Sequence, residues 1–230
     1  MALPKVIHPT KKIQIPSLGR ELEFEPFTTQ DEKAIILLDK DASLYEKCKL
    51  QKEIIEKCCR SDGVDFSTLS TIELAYVFLQ LRKISVGGAL ELSTTCPKCN
   101  EEIPASIDIG LVQFEVDKLK PLTFTLNTSD GPYIVECTHI RPDDLQYINS
   151  EKINFEDMAV MLRSMSKPDG NDIIEFTHEE KLELFNQLDS TVAEKIVKYA
   201  NNAPKLVYHM KIVCPECNHE FEGDLQDFFI

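Results

Sequence analysis

The chain is 230 residues long, 43% hydrophobic, formally charged −14 and carries eight cysteines, enough apolar content for a packed core that needs no disulfides. Its longest purely apolar run, Ala34 to Leu38, falls far short of the roughly 20 residues that span a bilayer, and MALPKVIHPTKK lacks the apolar middle of a signal peptide. The expectation is a soluble cytoplasmic protein whose reduced thiols bind metal or lie buried, and whose acidic field repels nucleic-acid phosphates.

Lys12 to Phe27, KIQIPSLGRELEFEPF, alternates apolar and polar residues around Ser17-Leu18-Gly19-Arg20, which predicts two short strands and a turn. Thr29 with Glu32 three residues later has the form of a capping box and starts a helix near Gln30. From Ala42 to Arg60 the positions Leu44, Cys48, Ile55, Cys58 and Cys59 recur near helical spacing, so these three cysteines belong on or beside a buried stripe. Lys47, Lys49 and Lys52 in that segment mix with Glu46 and Glu53 as a solvated helix surface does. Ser70 and Glu73 form a second box, and IELAYVFLQLRKIS runs as an apolar helix until Gly87-Gly88 stops it. ALELSTT is then a strand leading into CPKCNEEI, residues 96 to 103.

The second half reuses this plan. LTFTLNTSDGPYIVECTHI reads as a hairpin around Asp130-Gly131, and RPDDLQYI opens a short helix. Asn154 caps a helix FEDMAVMLRSM, KPDGND turns, Thr177 with Glu180 caps HEEKLELFNQL, and Ser190 caps TVAEKIVKYANN before Pro204. KLVYHMKIV is a strand leading into CPECNHEF, residues 214 to 221. Aligning the two knuckles matches Cys96, Pro97, Cys99, Asn100 and Glu102 with Cys214, Pro215, Cys217, Asn218 and Glu220. Ile103 then faces Phe221 and Ile107 faces Leu225, which suggests a duplicated unit of roughly 13 to 109 and 122 to 227, with convergent layout as the alternative. The expected halves are 1 to 110 and 111 to 230, joined into one cooperative unit.

A Cys-Pro-x-Cys turn between strands holds both sulfurs on one side, and two such turns supply four thiolates, the closed tetrahedral set of structural zinc. Cys96, Cys99, Cys214 and Cys217 are therefore the expected ligands. Their distance in sequence leaves two arrangements: a metal closing one long insertion, or two molecules sharing knuckles. The competing reading is a thiol-redox protein, which calls for the first cysteine of a pair at a helix N-terminus, whereas the residues after each pair alternate like strands. Four sulfurs leave no open position for catalytic water. His219 beside Cys217 reads as an exposed hairpin residue, and Cys137 with His139 as structural, since nothing nominates a third partner. No phosphate-cradling loop, HExxH or nucleophile elbow occurs, so no catalytic residue is expected.

LEFEPFTTQDEKAIILL (22 to 38), LQLRKISVG (79 to 87) and the two Cys-Pro-x-Cys knuckles together resemble the baseplate proteins of T-even-type tailed bacteriophages, the hub and hub-assembly group, over most of the chain. The resemblance implies a non-enzymatic protein that binds other baseplate or hub proteins in the infected bacterial cytoplasm, as an assembly factor or as part of the tail baseplate. The residues on their own agree: an α+β, helix-rich chain with short hairpins and a four-cysteine zinc ribbon, without a catalytic constellation. Self-association stays open. A nucleic-acid-binding zinc ribbon is the further alternative, disfavoured by Glu101, Glu102, Glu216, Glu220, Glu222 and Asp224 against Lys98. Apolar Phe228, Phe229 and Ile230 could dock on a partner or pack on the last strand.

Overall fold

A computed structural model describes residues 6–38, 41–148 and 154–223; the terminal Phe228 to Ile230, together with Asp224 and Leu225, lies outside them. In chain order the first elements are β1 (Lys11–Ile15), β2 (Arg20–Phe24), α1 (Thr29–Leu37), α2 (Leu44–Cys58), α3 (Thr71–Val86), β3 (Ala89–Thr95), β4 (Glu102–Asp108) and β5 (Gln113–Phe114). There follow β6 (Leu122–Thr128), β7 (Gly131–Cys137), β8 (Leu162–Ser166), β9 (Ile174–Glu175), α4 (His178–Gln187), α5 (Ser190–Asn201), β10 (Leu206–Val207), β11 (Met210–Val213) and β12 (Glu220–Gly223). The chain is thus mixed helix and strand, with small antiparallel sheets. Among the described residues no helix is long and apolar enough to cross a membrane.

Two compact units share the chain: Met1–Phe66, Ile72–Glu115 and Lys205–Ile230 form one, Ser67–Thr71 and Val116–Pro204 the other. In the first, β1 and β2 pair with Ile13 opposite Leu22. Their alternation puts Ile13, Ile15, Leu22 and Phe24 on one buried face, where Phe24 meets Phe66. Gly19 (φ 60°) closes the turn and donates its N–H to Ile15. On the same turn the Ser17 N–H donates to the Glu73 carboxylate at 2.6 Å. Glu73 is 1% exposed, and burial raises its pKa despite that bond. The carboxylate expected as a helix-cap partner thus ties the hairpin turn to α3.

α1 begins one residue earlier than expected. TTQDE contains two overlapping boxes, and the one used joins Thr28, through its N–H and hydroxyl, to the carboxylate of Asp31. Asp31 also accepts from Lys57 of α2, which gives this register a tie that Thr29 with Glu32 does not supply. Cys48 and Cys58 lie buried along α2, as the helical spacing predicts, and Cys59 is half-buried. A second cluster packs Leu79 of α3 with Ile107, Ile109, Val112 and Leu206. The single predicted strand KLVYHMKIV is two strands, because its halves pair with different partners: β10 with β5, β11 with β12.

The second unit is a four-stranded antiparallel sheet, β6-β7-β8-β9, packed with α4 and α5 around Phe124, Val135, Cys137, Met161, Leu162, Phe185 and Ile196. Gly131 (φ 110°) turns the β6–β7 hairpin. The helix expected from Phe155 is a short 3-10 turn, Glu156–Met161, followed by β8. Ala159, Val160, Met161 and Leu162 are buried in succession, which one helix face cannot achieve. Its start is as foreseen: Asn154 and Asp157 exchange bonds between side chains and backbone N–H groups. Thr177 and Glu180 form the expected box on α4. At α5 the cap is Asp189 rather than Ser190, its carboxylate taking the N–H groups of Thr191 and Val192; a full negative charge suits a helix N-terminus better than a hydroxyl.

Candidate metal centre

Each knuckle is the tip of a hairpin, and the two tips are built alike. β3 and β4 end on the pair Thr95 and Glu102, β11 and β12 on Val213 and Glu220, so each encloses a six-residue loop starting at its first cysteine. In the first loop Cys96 donates its N–H to Glu101 and its carbonyl accepts from Asn100; in the second Cys214 donates to His219 and accepts from Asn218. Asn100 (φ 60°) and Asn218 (φ 52°) occupy the left-handed region. The shared asparagine has a backbone reason: after glycine, asparagine adopts that conformation most readily.

The hairpins bring four sulfurs of one chain, all within the first compact unit, to within 4.8 Å of one another. The shortest separations cross between loops, Cys96 to Cys217 at 3.7 Å and Cys99 to Cys214 at 3.5 Å, pairing the first cysteine of each loop with the second of the other. A disulfide would need about 2.0 Å. Four sulfurs around one zinc, each at about 2.3 Å, stand about 3.8 Å apart when tetrahedral, so the donor set fits such an ion in both chemistry and spacing. Ile103 and Ile212 pack beneath Cys96 and Cys214, both wholly buried, while Cys99 is exposed. The apolar floor holds the loops together from one side only.

The protons on these sulfurs depend on one another. Burial raises Cys96, but the N–H groups of Cys99 and Lys98 outweigh it and bring the thiol down to about 7. Cys99 is lowered by the Glu101 N–H, but partial desolvation and the neighbouring sulfurs push it up to about 12. Like charges this close oppose one another, and a cation among them removes the conflict.

Neither pair opens a helix; both sit in β-hairpins. Around the tips Glu101, Glu102, Glu216, Glu220 and Glu222 are exposed, as are Lys98 and Lys211. His219 stacks on Phe221 and is half-buried, not the open hairpin residue expected. Cys137 lies in the core of the second unit, where burial pushes its thiol up to about 12. His139, 6% exposed, stacks on Tyr199 at 4.2 Å and donates from Nε2 to the Lys118 carbonyl. Burial lowers its pKa. A hydrogen on Nε2 fits the neutral ring that burial favours.

The same unit contains a charged cluster with no signal in the sequence. Arg163, on β8, donates to both Asp144 oxygens, to Thr138 Oγ1 and to the carbonyls of His139 and Val160. Lys181 of α4 joins at 3.6 Å from Asp144. Asp144, Arg163 and Lys181 line a polar recess of about 360 Å³ with Glu136, Arg141 and Glu175. They come from segments far apart in sequence, and abundant acids and bases hide such a group until the chain is folded.

A family model described as T4 bacteriophage base plate protein matches residues 8–230. No curated protein and no solved structure matches the chain.

Proposed function

The chain belongs to the T4 bacteriophage base plate protein family, and from that premise we propose that it is a non-enzymatic component of baseplate hub assembly, acting through contacts with other tail proteins and stiffened by a structural zinc. The family match across residues 8–230 carries this reading. Cys96, Cys99, Cys214 and Cys217 would hold the ion. Zinc there would supply a fixed link between two hairpins separated by more than a hundred residues, lowering the entropy of the long intervening chain. Beneath it Ile103 and Ile212 exclude water from the buried sulfurs, and the two asparagines hold each loop in register.

The matched loops, with equal length and the same backbone bonds, support a duplicated unit of roughly 13 to 109 and 122 to 227. The two compact units divide the folded chain differently from the halves 1 to 110 and 111 to 230. Burial of Cys137 and His139 in packed surroundings, and the hairpin setting of both cysteine pairs, favour this reading over thiol chemistry. The exposed glutamates at the ribbon favour a protein partner over a nucleic acid.

The test is phage infection with the gene deleted, followed by electron microscopy of tail intermediates and mass spectrometry of purified virions from complemented cells. Arrest before a complete hub supports the proposal, and presence or absence in the virion separates a resident component from an assembly factor. Normal hubs without the protein would overturn it.

A further inference from the structure

The two edges of the β6-β7-β8-β9 sheet are finished differently. β9 is two residues long and ends in Glu175. Shortness and charge of that kind keep a sheet edge from pairing with another chain. β6 has neither device: LTFTLNT is seven residues without a charge, a proline or a bulge, paired with β7 along its whole length. Ser129 and Asp130 form a two-residue turn, so the pair that closes it, Thr128 and Gly131, exchanges backbone bonds, and so does every second pair behind it. Leu126, Phe124 and Leu122 thus direct their backbone groups to β7. The N–H and C=O groups of Thr123, Thr125 and Asn127 point the other way, on exposed residues, and among the described residues no strand pairs with them.

We infer that this edge pairs with the same edge of a second copy of the chain, antiparallel about a two-fold axis at Thr125, to make one continuous sheet. The sequence is matched to that register. Centring on Thr125 puts Leu122 opposite Thr128 of the second copy, so all seven residues take part. It also sets Thr125 against Thr125 and Thr123 against Asn127, the residues whose bonding groups face outward, and each such pair exchanges two bonds. Any other centre shortens the ladder. Phe124, buried, comes to face Leu126 of the second copy, which is half-buried at the flank of the same core.

Charge agrees with the register. Just outside the strand it places Lys120 opposite Asp130 of the second copy, at both ends by symmetry, and both residues are exposed. The two charges cannot meet within one chain, because β6 stands between them and is about 20 Å long. The net charge of −14 on each chain opposes association at long range, but it is screened beyond about 8 Å at physiological ionic strength, whereas the backbone bonds and the end charges act at contact. Seven residues a side are fewer than the roughly 20–30 of a standard interface, so the pairing is expected to be reversible and to grow with concentration. It stands independently of the assembly role and of the zinc site.

The test is sedimentation equilibrium of the purified full chain over a range of concentrations at physiological ionic strength. The expected result is a mass rising from 26.2 kDa towards twice that value. Thr125→Pro removes an N–H that β7 does not use, so it should raise the dissociation constant by about tenfold or more while the far-UV circular dichroism stays unchanged. Lys120→Asp and Asp130→Lys should each weaken association, and the double variant should restore it, which can happen only between copies. If Thr125→Pro fails to fold, the charge exchange decides alone. A chain that stays single at every concentration would overturn the inference and leave the edge to a strand of another protein. So would a dimer that a folded Thr125→Pro leaves intact, or a double variant that associates no better than either single one.

Discussion

Arg163→Met should destabilise the second unit by about 3 kcal/mol, the low end of the ~3–5 kcal/mol typical of breaking a buried ion pair. The size follows from what the guanidinium leaves behind. Arg163 and Asp144 are only 10% and 9% exposed at their side chains, and removal strips Asp144 of two bonds at 2.6 and 2.9 Å. Lys181 partly compensates, standing 3.6 Å from Asp144 and donating to Val160 at 3.2 Å. The His139 carbonyl and the Thr138 hydroxyl also lose a donor, although Thr138 still donates to His139 at 3.3 Å. The chain has no tryptophan, so urea unfolding is followed by far-UV circular dichroism and tyrosine fluorescence. Adding Asp144→Leu to Arg163→Met should recover part of the loss, with a coupling of about 2 kcal/mol, since no buried carboxylate then remains. A loss below about 1 kcal/mol, or strictly additive effects, would refute the reasoning.

Glu73 supplies a pH test. Its folded pKa is raised, so its contribution is fully present below the ordinary carboxylate value of 4.5 and is lost as pH rises through the folded value. Wild type minus Glu73→Gln should therefore show stability falling above pH 4.5, measured by urea titration across pH 4 to 8; a flat difference would contradict the assignment. At the knuckles Asn100→Ala or Asn218→Ala should cost about 1 kcal/mol for forcing a Cβ-branchless but chiral residue into the left-handed region, and Asn→Gly much less. Equal melting curves for the two substitutions would show that φ is not the constraint. Chelation should raise hydrogen exchange in 89–108 and 210–223 and leave 122–137 protected, because the latter strands belong to a separate core. Uniform loss of protection would argue that the metal supports both units.

What could be read in advance is what local chemistry determines. The hairpins at Gly19 and Gly131, the box on α4 and the cysteine knuckles depend on residues within six positions of one another, and these were legible. The caps fall at Thr28 and Asp189, one residue before the expected Thr29 and Ser190, because neighbouring side chains can serve and the decision lies with a distant lysine or with charge. The segment from Phe155 reads as a helix because its apolar run suits one until β7 offers it a strand partner. The set of four cysteines is legible from two like Cys-Pro-x-Cys turns between strands; that the sulfurs meet within one chain, crossed between loops, needs three dimensions. Nothing in the sequence marks the Arg163 cluster.

The most direct test of the account is elemental analysis of the purified protein, with native mass, for the wild type and for the variant carrying Cys96→Ser, Cys99→Ser, Cys214→Ser and Cys217→Ser. The account predicts about one zinc per chain in the wild type, none in the variant, and a lower Tm for the variant. A wild-type protein that purifies without metal and with four freely titrating thiols, or a variant of unchanged Tm, would contradict it.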